Sequence, residues 1–440
     1  MSKEKFKIPD GGLWDVRKLG VPKMMLLGLQ HTFAMFGATV LVPIITGLDV
    51  STTLLMAGLG TLLFHLITKG KVPAFLGSSF AFLGGYAAVA PKLADGTPNK
   101  EMLPYACGGV VVAGLVYVCM SALIKVCGVK KIMRFFPPVV TGPIIISIGL
   151  ILAPTAISNA KQDWLLAIIA LTVIIGCNIW GKGMVKIIPI LLGIAVSYII
   201  ALATGKVDFT AINNAAIVAM APITFAKFSI SAIITIVPIS LATMMEHIGD
   251  IAAISATTGK NYINDPGLHR TILGDGIATS FAGMFGGPAN TTYGENTGVL
   301  ALTKIYDPKV MEIAAVFAIL LSFIPKFGAA INTIPPAIIG GVSFILYGMI
   351  SAIGVRNVVE NQVDFTNSRN LIIAAVILVS ALGFSGVGGL TIAISQTIQI
   401  NLSGLAIAAI LGIVLNAVLP GNTYEFGKDL EGDTAVSFEV

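Results

Sequence analysis

The stretch Gly286–Lys304, GGPANTTYGENTGVLALTK, decides how the rest of this chain is read. It is polar and glycine-rich in a sequence that is otherwise almost wholly apolar. Gly286, Gly287, Pro288, Asn290, Thr291 and Thr292 disfavour helix, whereas Val299, Leu300, Ala301 and Leu302 can form one. The reading is an extended strand that turns into a short helix, with Glu295 at the join. At membrane depth such a break is tolerated only where protein or a water-filled cavity surrounds it. Broken helices near the midplane are also how many secondary transporters build a substrate site.

The surrounding composition sets that depth. The chain has 440 residues, 55% hydrophobic and 11% charged, with a mean hydropathy of +0.91. A soluble domain would be about a quarter charged, so the sequence reads as an integral membrane protein with the lipid bilayer as its surroundings. Its 48 glycines suit close helix packing. The net charge of +5 gives no argument for nucleic acid, because the basic residues lie between apolar runs. Cys107, Cys119, Cys127 and Cys177 have neither CxxC nor zinc spacing and read as packing residues. With no metal set, cofactor motif or nucleophile–base pair in view, the sequence points away from an enzyme, a metal or a cofactor. The start, MSKEKFKIPDGG, is polar and lacks a cleavable signal pattern.

About 20 apolar residues cross a bilayer. Runs near 24–46, 51–68, 105–124, 137–156, 164–181, 187–203, 230–254, 271–285, 310–325, 334–353, 370–387 and 403–419 meet that rule, and two shorter, interrupted runs lie at 73–90 and 288–303. Together they predict an all-α polytopic membrane protein of fourteen transmembrane segments. Residues 210–228 are the ambiguous stretch, readable as a surface or a re-entrant helix. With both termini in the cytoplasm, most of the 27 Lys and Arg fall in cytoplasmic loops, and only Lys92, Lys100, Lys161, Lys206, Lys227 and Lys326 fall outside. That is the bias the positive-inside rule demands of a multi-pass protein of the cytoplasmic membrane.

The chain also repeats itself. FPPVVTGPIIISI (136–148) is similar to IPPAIIGGVSFIL (334–346), matching Pro137, Pro138 and Gly142 with Pro335, Pro336 and Gly340. LQHTF (29–33) is similar to MEHIG (245–249), and GSSFAFLGG (77–85) pairs with the break at Glu295. Each half then has seven spans, so the second enters from the opposite side. Inverted repeats with a broken segment in each half point to a transporter whose site lies where the breaks meet.

Ionisable residues inside apolar spans are costly and are functional candidates. Here they are Glu246, His247 and Asp250 in ISLATMMEHIGDIAAI, Asp275 in LGDGIATSF, Glu295, His31 and His65; no Lys or Arg sits centrally. Glu246 and Asp250, four apart, share a helix face. Glu246 and Glu295 together can receive the N–H groups of a small planar ligand and can also hold protons, the chemistry of a proton symporter with the proton as coupling ion. Half-helix N-termini after Phe80 and Glu295 would supply N–H donors for ligand carbonyls. A sodium carrier is the alternative, since carboxylates and backbone carbonyls also bind Na⁺. Asp250 is either a second proton carrier or a partner for a helix end; Asp275 either ties the broken helix or meets protons. His31 either contacts the site or bonds a backbone carbonyl. His65 and His247 read as packing residues. Phe80, a core aromatic elsewhere, can stack on a planar ring at the break.

These residues carry a resemblance. Glu295, Asn296, Thr297, Gly298, four residues, Thr303, Lys304 matches the signature of the nucleobase–ascorbate transporter (nucleobase:cation symporter-2) family. LGLQHTFAMFGATVLVP (27–43), PAFLGSSFAF (73–82), DPGLHR (265–270) and NTTYGEN (290–296) resemble its bacterial uracil-transporting branch, and the likeness runs from about 25 to 420. The resemblance implies fourteen spans in two inverted repeats of seven, with short strands in spans 3 and 10. It implies a core domain from 24–128 and 229–327 (spans 1–4 and 8–11) and a gate domain from 129–228 and 328–420 (spans 5–7 and 12–14). Residues 1–23 and 421–440 would be cytoplasmic tails. Glu246 and Glu295 would bind the uracil ring, the backbones of Phe80 and Gly294 would add hydrogen bonds, and Ala38, Tyr293 and Tyr347 would line the pocket. Proton coupling would involve Glu246, Asp250, Glu295, His31 and Asp275. Some members carry His one turn after the span-8 glutamate; Asp250 stands there, so a relay would run from carboxylate to carboxylate. The implied activity is uracil:proton symport by alternating access, with a homodimer formed through the gate domains. A xanthine or urate permease of the same fold, and a nucleobase sensor without flux, are the alternatives.

Overall fold

A computed structural model of the protein describes residues 11–93, 97–393, 399–422 and 424. The two tails therefore lie largely outside the described residues. Helices α1 (Val21–Thr46) and α2 (Val50–Ile67) are continuous apolar runs. Between them Asp49 caps α2, its Oδ1 accepting from Thr52 N at 2.7 Å. Helix is then lost through a stretch holding Pro73, Gly77, Ser78 and Ser79, and the chain forms strand β1 (Leu76–Ser78) and half-helix α3 (Leu83–Val89). After α4 (Leu103–Cys127) come short α5 (Val129–Met133), then α6 (Pro138–Ala160), α7 (Trp164–Trp180), short α8 (Met184–Ile187) and α9 (Pro189–Ala203). The second half begins with α10 (Thr210–Asn214), α11 (Ile230–Ile236), α12 (Ile239–Thr258) and α13 (Leu268–Met284). Strand β2 (Asn290–Thr292) feeds α14 (Gly294–Thr303), followed by α15 (Lys309–Ser322), α16 (Pro325–Asn332), α17 (Pro336–Glu360) and α18 (Ser368–Gly386). A hairpin of β3 (Leu390–Ala393) and β4 (Gln399–Leu402) leads into α19 (Gly404–Val418).

Among the described residues, seven helices are long and apolar enough to cross a membrane: α1, α2, α4, α6, α11 with α12, α17 and α18. An eighth is reached if α15 and α16, bent by 85° at their junction, count together. The apolar α7, α9 and α19 are shorter, with 17, 15 and 15 residues. Helix α13 has 17 residues and carries Arg270 and Asp275, which lower its hydropathy. The chain is thus a multi-pass helical membrane protein.

Three places differ from the sequence reading. The run 230–254 is two helices, because Pro238 at its middle has no N–H to continue the ladder. Residues 210–228 are helical only over α10. From there to Ser229 the chain forms neither helix nor strand, and its backbone bonds to neighbouring elements: Ala219 N to Phe323 O at 3.2 Å, Ala226 N to Met284 O at 3.0 Å and Lys227 N to Pro104 O at 2.9 Å. Thr52 Oγ1 also donates to Pro222 O at 2.5 Å. This strap lies across the ends of α2, α4, α13 and α15. Finally, the linker between α18 and α19 is a β-hairpin, with Leu390 opposite Leu402.

Helices α6 and α17 pack along their length and cross closely. A Cβ at Gly142 would meet Val358 at 2.3 Å, and one at Gly340 would meet the Ala160 nitrogen at 2.3 Å. Helix α2 packs on α15 and α13, α4 on α13 and α11, α7 on α9 and α17, and α18 on α19 and α6. One apolar core joins them, including Met35, Phe64, Phe75, Leu76, Phe82, Tyr117, Ile144 and Ile338.

Candidate substrate site

The two breaks meet. Strands β1 and β2 pair antiparallel, Leu76 opposite Thr292, Gly77 opposite Thr291 and Ser78 opposite Asn290. The pairing satisfies backbone groups that would otherwise be stranded in an apolar interior. Further bonds complete it: Ser79 N donates to Ala289 O at 2.8 Å and Tyr293 N to Phe75 O at 3.0 Å. Thr61 Oγ1 accepts from Leu76 N at 2.9 Å and donates to Leu76 O at 3.1 Å. The Tyr293 hydroxyl donates to Ser78 O at 3.0 Å, while Thr39 Oγ1 donates to it at 3.3 Å. Its ring rests against Gly77, where a Cβ would meet it at 2.4 Å. Only glycine fits there.

Tyr293 is the last extended residue, and Glu295 is the second residue of α14. A carboxylate in the first turn of a helix is favoured by the helix dipole. The neighbouring Asn296 turns the other way: its Nδ2 donates to His31 O at 3.2 Å and lies 3.1 Å from His31 Nδ1. With Nδ2 as donor, His31 Nδ1 accepts and its proton sits on Nε2. His31 therefore fastens α14 to α1.

Helix α12 brings the other acids. Asp250 Oδ2 accepts from Thr292 Oγ1 at 3.0 Å, joining α12 to β2. Glu246 Oε2 is buried without a hydrogen-bond partner among the described residues. His247, the next residue round the helix, faces away from Glu246. Its Nδ1 lies 3.2 Å from Asp275 Oδ2 and 3.4 Å from Thr292 Oγ1. His247 and Asp275 have no solvent exposure.

A cavity of about 550 Å³ opens at this junction. Phe80, Glu246, Asp250, Tyr293, Gly294 and Glu295 line it at the strands, and it extends past Thr257 and Ile353 to Lys186, Arg356 and Glu360. Six of the residues picked from sequence thus share one space. Four do not line it: Ala38 is fully buried, His31 and Asp275 are held as described, and Tyr347 stands behind Phe80, edge to face with ring centroids 5.8 Å apart. Sequence reasoning missed Thr292, which ties Asp250 to the strand, and took His247 for packing. The spacing of His247 from Glu246 was the available signal, since adjacent helical residues face different partners.

The site pairs acceptor carboxylates with the donor end of a half-helix, on a space of small-molecule size. Among the described residues, its basic lining residues are Lys186 and Arg356, at the far end. A polytopic helical protein with a buried strand pair and such a cavity belongs to the class of membrane carriers. Solved structures share the fold: the transmembrane domain of a cyanobacterium bicarbonate transporter, BicA (TM-score 0.63, 14% identity, covering 92% of this chain and 99% of that one), and SLC26A9 (TM-score 0.64, 11% identity, covering 92% and 66%). The family model described as Permease family matches residues 22–390. The uracil permease of Bacillus caldolyticus is 44% identical over 416 aligned positions, covering 91% of this chain and 93% of the relative. That of Bacillus subtilis (strain 168) is 41% identical over 460, covering both chains in full, and that of Escherichia coli (strain K12) is 40% identical over 403, covering 89% and 90%. The chain belongs to this Permease family, the nucleobase:cation symporter-2 transporters. It is a transporter and not an enzyme.

Proposed function

We propose that the protein imports uracil with protons across the cytoplasmic membrane by alternating access. The observation that carries this reading is the convergence of Glu246, Asp250 and Glu295 on one cavity beside the strand pair. Uracil presents ring N–H groups beside carbonyls. Carboxylates accept the former, and backbone N–H groups at Phe80 and Gly294 suit the latter. Several acids close together at low dielectric are costly when all are charged. A proton taken up with the substrate relieves that cost, which links the two fluxes. Relatives named uracil permease support the choice of uracil over xanthine.

The frame for this is fourteen spans in two inverted repeats. In its support, packing partners recur in mirrored pairs: α2 with α15 against α13 with α4, and α7 with α9 against α18 with α19. The matched glycines Gly142 and Gly340 sit at equivalent crossings of α6 and α17. Core residues 24–128 and 229–327 would move against gate residues 129–228 and 328–420. The cavity reaches Lys186 and Arg356, on the side that the positive-inside rule assigns to the cytoplasm. Both termini then lie in the cytoplasm and the conformation is inward-open. The exposed apolar faces of α7 and α18, with Ile168 and Val379, are open to lipid or to a second copy.

The test is uptake of labelled uracil into proteoliposomes under an inward proton gradient. Accumulation that collapses with a protonophore is expected. Accumulation under a sodium gradient alone would overturn proton coupling, and xanthine in place of uracil would overturn the substrate. Binding without flux would make the protein a sensor.

A further inference from the structure

We propose a second site, on the lipid-facing side: a groove between the last turn of α2 and the first turn of α15 that binds a phospholipid with a primary-amine headgroup. The groove holds about 330 Å³ and is lined by Leu62, His65, Leu66, Lys69, Gly70 and Glu312.

His65 is 3% exposed. Its Nε2 lies 2.9 Å from the carbonyl oxygen of Ala74. A carbonyl only accepts, so Nε2 carries the ring proton and Nδ1 is left with a lone pair. That Nδ1 is buried and has no hydrogen-bond partner among the described residues. It faces Glu312 Oε1 across 3.8 Å. Two acceptors thus face one another, and a donor seated beside them in the groove can bond to both. A primary ammonium has three N–H groups, enough to serve both.

The remaining lining fits the rest of the molecule. Lys69 has no ion pair among the described residues and is placed to meet a phosphate. Leu66 is 75% exposed and, with Leu62, offers apolar surface for an acyl chain. The level is that of headgroups: Lys71 Nζ pairs with Asp265 at 2.5 Å, and Arg270 Nη1 donates to Ile67 O at 3.2 Å, both at this end of α2. A soluble amine would have no use for the leucines. A choline headgroup, with no N–H, would leave both acceptors unmet.

The full-length protein in detergent, observed intact by native mass spectrometry, tests the site with phosphatidylethanolamine, its mono- and dimethylated forms, phosphatidylcholine and phosphatidylglycerol of matched chains. Retention should fall stepwise as methyl groups replace N–H. Glu312→Gln should weaken phosphatidylethanolamine retention about tenfold, the worth of one charge-assisted hydrogen bond, and leave phosphatidylcholine unchanged. Equal retention across the methylation series overturns the proposal, as does preference for phosphatidylglycerol or an undiminished signal in E312Q. The series uses the unaltered protein, so it decides the matter even where a variant folds poorly. Because the readout is lipid, it is independent of which nucleobase or ion is carried.

Discussion

Residues 76–89 and 290–303 each run three residues of strand into a half-helix, and the two strands pair with one another. Along the first, the residue that lines the cavity is Phe80, an aromatic; along the second several residues line it, and the charged one is Glu295. The flanking helices repeat the contrast. Helix α1 offers His31, engaged with Asn296, whereas α12 offers Glu246 and Asp250 to the cavity and His247 to Asp275. Shape is shared because neither strand can satisfy its backbone without the other. Charge is not shared, because each buried acid carries a desolvation cost and a second set would double it. The anion carriers with this fold make the same point from outside: 14% and 11% identity suffices for the frame and says nothing of the site.

The contrast breaks if the charged half is dispensable. Glu246→Gln or Glu295→Gln should cut uracil uptake about 10–100-fold, as loss of a hydrogen bond to a charged group predicts, with the protein still present in membranes. Uptake near the unaltered level for both would remove the acids from the mechanism. Next comes the shared shape. Gly77→Ala drives a Cβ to 2.4 Å from the Tyr293 ring and should cost about 1–3 kcal/mol as overpacking does. Gly84→Ala, with nothing within 4 Å of the added carbon, should be close to neutral. Thermal unfolding in detergent compares the two, and equal melting points would mean that the strand contact carries no weight. The smallest effect is expected at the uncharged break: Phe80→Ala should weaken uracil binding by about 0.5–1.5 kcal/mol, the worth of one aromatic contact. A loss there as large as at Glu295 would erase the distinction between the halves.

Much of this was legible in the sequence. Gly, Pro, Ser and Thr inside apolar runs located both breaks, and the rarity of acids in the spans located Glu246, Asp250 and Glu295. The PP…G repeat anticipated the close crossing of α6 and α17. What stayed hidden depends on contacts made across the fold. Hydropathy does not register Pro238, because proline is apolar and the run reads as continuous. The strap after α10 has apolar side chains such as Val218 and Phe225 but finds its hydrogen bonds on four other elements, so no local pattern marks it. His247 is apolar in its surroundings until Asp275, on another helix, is placed beside it.

The strand pair also has a consequence in time. Ser78 stands opposite Asn290 in the strand pair, so the first strand is synthesised roughly 200 residues before its partner exists. At about 5–20 residues per second, that delay is roughly 10–40 s. Through it, the edge of β1 has unanswered amides that lipid cannot accommodate. The segment after α2 must therefore linger at the water boundary or in the insertion machinery, and the first half of this protein cannot mature without the second.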